Sequence, residues 1–395
     1  MNAREIAKGI KVISTVHWER RLFDSLIPLP DGTSYNAYLI QGSKGTALVD
    51  TTDPELKHEL LDQLESVEHI DYLVTQHSEQ DHSGTIPDVL ARYPKAKLVC
   101  SSKAKDLVLT HLDVAPERIR VVEDGEEISL GDKTLQFVYT PWVHWPETMC
   151  TYIPQDKCLL SCDFFGSHVA TSDMYVTNKE LVYEAAKRYF AEIMMPFRNM
   201  IRRNLDKLSG LEIDVIAPSH GPVYNEPDFI VDAYKDWVSP SMKNEVVLPY
   251  ITMHGSTEMM VKYLVNSLAD RGVTTHLFDL SVTDIGKLAI SLVDAATLVV
   301  GTPTVHIGPH PGVFYAAHLA NMLRPKLKYA AIVGSYGWSS KAIEQISGLI
   351  PNLKVDVLGT ILQKGAPTED TYKQLDELAE KIANAHKEDE LVTTE

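Results

Sequence analysis

Cysteine is scarce in this chain of 395 residues, and its spacing excludes several kinds of site. The four cysteines, Cys100, Cys150, Cys158 and Cys162, form no C-x-x-C pair. Rubredoxin-type iron sites and zinc ribbons are built on such pairs, so neither is expected here. A disulfide framework is also not expected in so large a chain. We interpret the thiols as buried groups that pack as small hydrophobes.

Basic residues and long apolar runs are also in short supply. The chain has 37 Lys and Arg against 54 Asp and Glu, a net charge of −17, which argues against a nucleic-acid partner because such partners need a basic face. The longest apolar runs, such as DAATLVVG, are far below the ~20 residues of a membrane-spanning helix. The N-terminal stretch MNAREIAKGIKVIS is charged early and has no apolar signal core. We therefore expect a cytoplasmic protein without a membrane partner.

The residues that are present describe an ordinary globular protein with two kinds of pattern. Hydrophobic residues make up 44% of the chain, and the length predicts two or three domains at ~100–200 residues each. From Ser34 to about Tyr224, strand-like runs such as SYNAYLI, IDYLVT and CTYI alternate with helical patterns. The longest helical pattern is LVYEAAKRYFAEIMMPFRNMIRRNLDKL. This mixture predicts a layered α/β or α+β domain.

A different pattern begins at Glu245, where five apolar strands alternate with helix-length segments. Such alternation is typical of a doubly wound parallel sheet, and about 150 residues with five strands match a flavodoxin-like domain. The polar segment WVSPSMKNE, which contains Pro240, separates the two patterns. The overall fold class is therefore α/β, and we predict two domains, residues 1–243 and 244–395.

The stretch QHSEQDHSG concentrates groups that bind metals. It places His77, Glu79, Asp81 and His82 directly after the apolar run IDYLVT. In an extended segment alternate residues point the same way. We therefore expect His77, Glu79 and Asp81 to converge, and His82 to point towards a second metal.

Three later segments carry further ligand-type residues after apolar runs. They are TPWVHWPET with His144, LLSCDFFGSH with Asp163 and IAPSHGPVY with His220. One such residue alone is usually a cap, a turn former or a solvent-facing group. Seven of them at strand ends predict a metal site at one rim of a sheet, because metal sites gather imidazoles and carboxylates.

The second half carries three loops that predict a phosphate-containing ligand. Ligands of doubly wound sheets bind beyond the carboxyl ends of the strands, and hydroxyls and amides at a helix N-terminus bind phosphate. Hydroxyl residues there are also ordinary helix caps, and a plain loop residue is the other interpretation of His306. The candidate residues are Thr252, Met253, His254, Gly255, Ser256 and Thr257 in the first loop, Pro303, Thr304, Val305 and His306 in the second, and Ser335, Tyr336, Gly337 and Trp338 in the third.

Together these motifs resemble a known family. HSEQDHSG, HWPETM, SCDFFG and PSHGPVY resemble the metallo-β-lactamase fold, whose hydrolytic members carry H-x-H-x-D-H. Glu79 replaces the second histidine, which is the mark of the flavodiiron proteins, or A-type flavoproteins. The three loops resemble the FMN loops of the same proteins. The resemblance covers about residues 5 to 385 and fits class A, which has no attached rubredoxin. It implies an N-terminal metallo-β-lactamase-like αββα sandwich and a C-terminal flavodoxin-like doubly wound parallel sheet.

The resemblance also implies a ligand set for two non-haem iron ions. One iron would take His77, Glu79 and His144, the other Asp81, His82 and His220, and Asp163 would bridge them. In some members the histidine matching His82 is displaced by water. The exchange of an imidazole for the Glu79 carboxylate hardens the site and adds negative charge, which suits iron better than zinc.

The activity implied by the resemblance is an oxidoreductase reaction. FMN accepts electrons from an external donor, such as rubredoxin or a reduced deazaflavin system, and passes them to the irons. There dioxygen is reduced to water, or nitric oxide to nitrous oxide. Because the family's two cofactors lie far apart within one chain, the resemblance also implies a head-to-tail homodimer or a dimer of dimers.

Two departures from the family pattern and two other function classes remain open at this point. The run Phe23-Asp24-Ser25-Leu26 stands where many members have F-H-G-Y, and His306-Ile307 stands where the second loop often has two asparagines. A binuclear zinc hydrolase with an appended flavodoxin-like domain is one alternative. An electron carrier with a vestigial metal site is the other.

Overall fold

The computed structural model describes residues 3–392 and divides the chain into two compact units. The first contains the residues up to Phe190 together with Phe197–Val238, and the second contains Ala191–Pro196 together with the residues from Ser239 onward. In the described part of the chain no helix combines the length and the apolarity needed to cross a membrane. The limits 1–243 and 244–395 for the two functional domains stay a prediction.

The described residues of the first unit form two large sheets and a two-stranded hairpin. Its strands are β1 (Arg4–Ala7), β2 (Ile10–His17), β3 (Leu22–Phe23), β4 (Ile27–Pro28), β5 (Thr33–Gln41), β6 (Thr46–Val49), β7 (Tyr72–Val74), β8 (Lys97–Ser101), β9 (Ile119–Val122), β10 (Glu127–Ser129), β11 (Thr134–Tyr139), β12 (Met149–Ile153), β13 (Cys158–Cys162) and β14 (Val215–Pro218). One sheet has the order β1-β2-β5-β6-β7-β8-β9, and the other runs from β10 to β14. The strands β3 and β4 form a separate hairpin.

The two large sheets pack face to face. Tyr38, Val74 and Val99 of the first sheet share one core with Phe137 and Leu160 of the second. Side chains at the alternate positions of the first sheet point the other way, because successive residues of a strand face opposite sides. They meet helices on the outer face, so both faces of this sheet are buried.

Seven α-helices complete the first unit. They are α1 (Lys57–Gln63), α2 (Gln80–Ser83), α3 (Ile86–Arg92), α4 (Ser102–His111), α5 (Lys179–Tyr189), α6 (Arg198–Leu208) and α7 (Asp228–Val238). The outer face of the first sheet packs on α1, α3 and α4 through a second core that contains Leu60, Val89 and Val108. The predicted αββα sandwich is confirmed.

The long helical pattern at residues 181–208 is two α-helices rather than one. Between α5 and α6 the chain forms a π-helical turn, Phe190–Met194, and a 3₁₀ turn, Met195–Phe197. Pro196 lies in this break. Proline has no backbone N–H to donate and its ring clashes with the preceding turn, so a regular α-helix cannot continue through it.

The second unit is a doubly wound sheet. Its strands are β15 (Lys243–Tyr250), β16 (Thr274–Asp279), β17 (Ala295–Val305), β18 (Gly308–Pro309), β19 (Tyr329–Tyr336) and β20 (Asp356–Lys364). The order β16-β15-β17-β19-β20 is parallel throughout, which is the flavodoxin order with the second strand outside the first. Its helices are α8 (Ser256–Ala269), α9 (Ile285–Leu292), α10 (Pro311–Leu323), α11 (Ala342–Leu349) and α12 (Glu369–Glu388). The predicted flavodoxin-like fold is confirmed.

The second of the three predicted loops is shorter than the sequence pattern indicated. β17 continues to Val305 and pairs with β18 through a tight hairpin. His306 and Ile307 form its tip with left-handed backbone angles, φ 46° and 75°. The sequence pattern placed Thr304 and Val305 in a loop, but both residues belong to β17 and pair with β18.

Candidate functional site

The ligand-type residues of the first unit lie where the sequence predicts, just beyond strand ends. Asp163 follows β13 and His220 follows β14, and these two strands are parallel neighbours, so their carboxyl ends meet at one edge of the sheet. His77 follows β7 of the other sheet, and His144 lies in the connection between β11 and β12. The sandwich thus brings together residues that are distant in sequence.

One group of side chains surrounds the carboxylate of Glu79. Its Oε2 atom lies 3.1 Å from Nε2 of His77 and 2.9 Å from Nε2 of His144. Asp163 completes the group, because its Oδ2 atom lies 3.4 Å from His77 Nε2 and 3.5 Å from His144 Nε2. Candidate ligand atoms of these four residues all lie within 4.8 Å of one another, which suits a single metal ion.

A second group surrounds the carboxylate of Asp81. Its Oδ2 atom lies 3.3 Å from Nε2 of His82 and 3.3 Å from Nε2 of His220. The other oxygen of Asp163, Oδ1, lies 2.9 Å from His82 Nε2 and 3.3 Å from His220 Nε2. Asp163 therefore directs one carboxylate oxygen at each group, which is the arrangement of a bridging ligand between two metal ions.

This grouping corrects one expectation and agrees with another. Alternation along an extended segment placed Asp81 with His77 and Glu79, and that is wrong. The chain leaves the extended conformation after Glu79 and enters the short helix α2, which turns Asp81 and His82 to the same side. The grouping is instead the one that the family resemblance implies. The role of the seven residues as metal ligands stays a prediction.

Two of the imidazoles are oriented through their second nitrogen. Nδ1 of His77 lies 2.8 Å from Oε1 of Glu147, and Nδ1 of His220 donates to the carbonyl oxygen of Ser34 at 2.9 Å. An Nδ1–H held in this way leaves Nε2 free to bind a metal. Glu147 was not among the residues predicted from the sequence. The available signal was its place in HWPET, close to His144.

Buried hydrogen bonds fix the segment that carries His77. The carboxylate of Asp50 accepts from the backbone N–H and the side-chain amide of Gln76, both at 2.8 Å. Glu147 also accepts from the backbone N–H of Ser78 at 3.0 Å. The segment is therefore held from two sides before any ion binds, which lowers the entropic cost of assembling the site.

The cluster is charged and mostly buried, with Glu79 and His144 partly exposed. Burial alone would lower the pKa of His77, but hydrogen bonds with Glu147 and Glu79 raise it well above the usual range. Burial likewise opposes the charged form of His220, but Asp163 and Asp81 raise its pKa to about 10. Burial favours a neutral Asp163, but the charge of His82 and the adjacent imidazoles of His220 and His77 hold its pKa well below the usual range. The carboxylates thus attract positive charge. Protons on the imidazoles supply this charge when no ion is bound, and metal cations displace those protons on binding.

Unsatisfied polar atoms test whether these residues fit metal ions. Both carboxylate oxygens of Asp81, Oδ1 of Asp163 and both ring nitrogens of His82 are buried and make no well-aligned hydrogen bond within the described residues. Buried polar atoms are rarely left in this state. Four imidazoles and three carboxylates are also the donor mixture of non-haem iron sites. The residues therefore fit a pair of metal ions.

Further aromatic and polar side chains surround His220. The rings of His168, Tyr189 and Tyr35 lie 4.8, 5.7 and 5.5 Å from the His220 ring, centroid to centroid. Phe23 precedes Asp24, where the chain departs from the family's F-H-G-Y pattern. The ring of Phe23 lies 5.5 Å from that of His168. Burial and the charge of His220 lower the pKa of His168 well below its usual range, so this imidazole is neutral. The sequence offered no signal for these contacts, which depend on the fold.

The predicted flavin loops of the second unit line one pocket of about 370 Å³. Ten of the fourteen predicted residues lie on its wall: Thr252, Met253, His254, Ser256, Pro303, Thr304, Ser335, Tyr336, Gly337 and Trp338. The pocket lies beyond the carboxyl ends of β15, β17 and β19, at the N-terminus of α8. The side chain of Trp338 is 82% exposed and that of Met253 50% exposed, so a flat aromatic ligand has apolar surface to cover.

Four predicted residues do not line this pocket. Gly255 is the left-handed cap of α8 with φ 84°, and Thr257 is buried with its hydroxyl 2.9 Å from that of Ser335. Val305 and His306 belong to the β17–β18 hairpin. Gly365, which the sequence did not single out, does line the pocket. Gly365 follows β20 and has a φ of 73°, a conformation that glycine adopts without strain.

Comparisons with known proteins agree with this geometry. A sequence model described as the ODP family beta lactamase matches residues 33–221. The nitric oxide reductase of Moorella thermoacetica is 35% identical, covering 96% of this chain and 97% of that protein. The solved rubredoxin oxygen:oxidoreductase of the anaerobe Desulfovibrio gigas is 31% identical with a TM-score of 0.95, covering 99% of this chain and 100% of that one.

A solved flavodiiron protein from Giardia intestinalis is also similar, with a TM-score of 0.92 and 26% identity over 98% of both chains. Identity above 30% along nearly the whole length confirms the predicted family. The chain belongs to the flavodiiron proteins.

Proposed function

We propose that this protein is an oxidoreductase that reduces dioxygen to water, nitric oxide to nitrous oxide, or both, at a pair of non-haem iron ions with FMN as second cofactor. The observation that carries the proposal is the placement of Asp163. Its two carboxylate oxygens face two separate groups of ligand-type residues. Glu79, at the centre of the first group, gives this group the carboxylate that hydrolytic relatives of the fold lack.

The residues that would hold the irons follow from the two groups. His77, Glu79 and His144 would hold one ion, Asp81, His82 and His220 the other, and Asp163 both. Three carboxylates among seven ligands favour iron over zinc, because hard anionic oxygen stabilises the higher oxidation state. When bound, the irons and FMN supply the electron-transfer chemistry of gas reduction.

The remaining contributions come from the protein itself. Glu147 and the carbonyl oxygen of Ser34 orient two imidazoles, and Asp50 fixes the segment before His77. The nearly complete burial of His77, His82 and Asp163 excludes bulk water, which strengthens each charge interaction within the site.

FMN would bind in the pocket of the second unit. The backbone amides at the start of α8 and the hydroxyls of Thr252 and Ser256 suit a phosphate, because a helix N-terminus attracts anions. Tyr336 and Trp338 offer aromatic faces for the flavin ring. His306 stands where the family often has an asparagine, but it lies outside the wall of the pocket. This difference should therefore affect only the outer edge of the FMN site.

The proposed partners are an external electron donor and a second copy of the chain. The donor would be a rubredoxin or a reduced deazaflavin system, and the name of the Desulfovibrio gigas relative supports the first. A head-to-tail homodimer, or a dimer of dimers, is proposed from the family resemblance. The zinc hydrolase alternative is not favoured, because the similar proteins named above are oxidoreductases.

Metal analysis and gas consumption together test the proposal. Protein expressed with iron and purified without oxygen should contain about two irons and one FMN per chain, from the ligand groups and the pocket described above. The reduced protein should consume dioxygen, nitric oxide or both in anaerobic stopped-flow mixing. Stoichiometric zinc in place of iron, or failure to consume either gas, would show the proposal to be wrong.

A further inference from the structure

An apolar cavity of about 250 Å³ lies in the first unit, away from the ligand groups. We name it the α6–α7 cavity, because its wall includes Leu205 and Leu208 of α6, Val231 of α7, Ile216 of β14 and Phe165. Leu211 and Ile213 add further apolar surface, and the polar lining residues are Ser209, Asp228 and Lys235. A space with this lining favours small apolar occupants over ions.

Two parts of this wall continue directly into the metal-ligand segments. Phe165 belongs to the tight turn that carries Asp163, since the backbone N–H of Gly166 donates to the Asp163 carbonyl oxygen at 3.0 Å. Ile216 lies on β14, the strand that leads to His220. The cavity therefore adjoins the base of two segments that end in candidate ligands.

Buried aromatic rings extend from the wall of the cavity into the interior of the first unit, and another buried ring of the same helix end contacts His220. The ring of Phe165 lies 5.0 Å from that of Tyr234, and the ring of Tyr234 lies 5.5 Å from that of Phe190. Phe190 follows Tyr189, whose ring lies 5.7 Å from that of His220. All four rings are at most 1% exposed. The region between the cavity and His220 thus contains buried rings, which ions and bulk water do not readily enter.

We infer that the α6–α7 cavity is an entry and holding site for the gaseous substrate, and that side-chain motions of the buried aromatic rings admit the gas to the metal cluster. The inference rests on the proposed function. Dioxygen and nitric oxide are small and nearly apolar, so they partition from water into apolar cavities, as xenon and benzene do in other proteins. A mostly apolar cavity at the base of the two ligand segments raises the local concentration of such gases near the cluster.

Xenon is the probe for this site, because it occupies apolar cavities without taking part in any reaction. Crystals of the wild-type holoprotein under xenon pressure should show xenon within the α6–α7 cavity. Leu208→Trp should fill the cavity and remove the xenon. It should also lower the second-order rate constant of gas consumption several-fold, while turnover at saturating gas and FMN reduction by the donor stay unchanged.

Two further variants keep the test decisive. Leu208→Ala enlarges the cavity and should retain or increase xenon occupancy and the gas rate constant, so it answers the question even if Leu208→Trp does not fold. Arg203→Trp adds the same bulky side chain on an exposed position of α6 and should change neither quantity.

The outcomes separate this inference from the function on which it rests. Wild-type protein that consumes gas but admits no xenon to the cavity would overturn the gas site, as would Leu208→Trp with an unchanged gas rate constant. A larger organic molecule or a second copy of the chain occupying the cavity would also overturn it. If the wild-type holoprotein consumes neither gas, the proposed function itself is wrong, whatever xenon does.

Discussion

The candidate metal-ligand cluster of the first unit and the candidate flavin pocket of the second are built in opposite ways. The cluster is a compact set of charges, with imidazole and carboxylate atoms 2.9 to 3.5 Å apart, and only Glu79 and His144 among its seven residues are partly exposed. The pocket is an open cradle of hydroxyls, backbone and a largely exposed tryptophan. Its wall residues make few contacts with one another.

This difference separates two ways of preparing a site. In the cluster, each carboxylate stabilises charged imidazoles, so the ligand side chains support one another even without metal. Removing one leaves buried charges uncompensated, which is costly. In the pocket, the strands and α8 position the wall, and the side chains add little to folding. Substitutions in the cluster should therefore affect metal, stability and activity together, whereas those in the pocket should affect FMN alone.

The largest effect is expected from Asp163→Ala. Among the described residues Asp163 is the only carboxylate that contacts both ligand groups, and its removal leaves three buried imidazoles and the partly exposed His144 with less counter-charge. We expect loss of iron and of gas consumption to below detection, with FMN retained at one per chain. Iron by elemental analysis and flavin by absorbance check this. Asp206→Ala, an exposed aspartate of α6, is the matched control. Retention of two irons by Asp163→Ala would refute the bridging role.

Glu79→His should change the metal rather than remove it. The variant restores the histidine of the hydrolytic pattern H-x-H-x-D-H and removes one negative charge from the centre of the first group. Zinc accepts imidazole readily and has no redox chemistry. We expect the zinc-to-iron ratio to rise and gas consumption to stop, while FMN binding is unchanged. A variant that keeps iron and wild-type consumption would show that carboxylate hardness does not select the metal.

The sequence could predict the ligand groups because the signal is local and repeated. His77 to His82 are contiguous, and Asp163 and His220 each follow an apolar strand. The same logic placed Asp81 wrongly, because the alternation of an extended chain does not apply once α2 begins at Gln80. The sheet order of the second unit was predictable for a similar reason, since regular strand–helix alternation leaves few topologies.

Other features depend on contacts that the sequence does not display. Glu147 reaches His77 across 70 residues, and a lone glutamate near a histidine is too common to carry a prediction. The break between α5 and α6 shows a different limit. The apolar periodicity continues through Pro196 and predicts one helix. The proline has no N–H to donate, so the regular hydrogen bonding ends there and the helix breaks despite the side-chain pattern.

Ser256→Asp tests the open pocket of the second unit. A carboxylate at the N-terminus of α8 would repel the flavin phosphate from a position that otherwise attracts anions. We expect the dissociation constant of FMN to rise roughly tenfold or more, with iron content and unfolding unchanged. Titration of the FMN-free protein with FMN, followed by flavin fluorescence, measures this. Ser347→Asp on the exposed face of α11 is the control. Unchanged FMN affinity would place the phosphate elsewhere.

Glu147→Gln tests whether positioning matters within the compact cluster. Glutamine has nearly the same shape and can still accept a hydrogen bond from His77 Nδ1, but it lacks the negative charge. Loss of such supporting carboxylates commonly weakens metal binding roughly 10- to 100-fold. We expect faster release of iron to a chelator, with the fold and FMN retained. Unchanged release kinetics would show that the charge of Glu147 does not hold the site.

The smallest effect concerns histidine charge, which differs between the carboxylate-rich cluster of the first unit and a buried histidine of the second. In the first unit carboxylates raise the pKa values of His77, His82 and His220. In the second, burial lowers the pKa of His386 on α12 to about 4. Its Nδ1 lies 2.8 Å from Oδ1 of Asn244 and its Nε2 lies 2.7 Å from the hydroxyl of Thr297, so a neutral ring with the proton on Nδ1 satisfies both partners.

The neutral state of His386 makes the stability of the second unit depend on pH. Between pH 6.5 and about 4 the unfolded chain binds a proton here that the folded chain does not, so unfolding becomes easier as the pH falls. The loss should be at most about 3 kcal/mol and complete near pH 4. Urea unfolding across this range should show a shallower pH dependence for His386→Gln, although the variant starts less stable because one partner is lost. His318→Gln, at an exposed position of α10, should keep the wild-type slope. Equal slopes for wild type and His386→Gln would mean that the ring accepts a proton in the folded protein, and that burial without a carboxylate partner does not keep this histidine neutral.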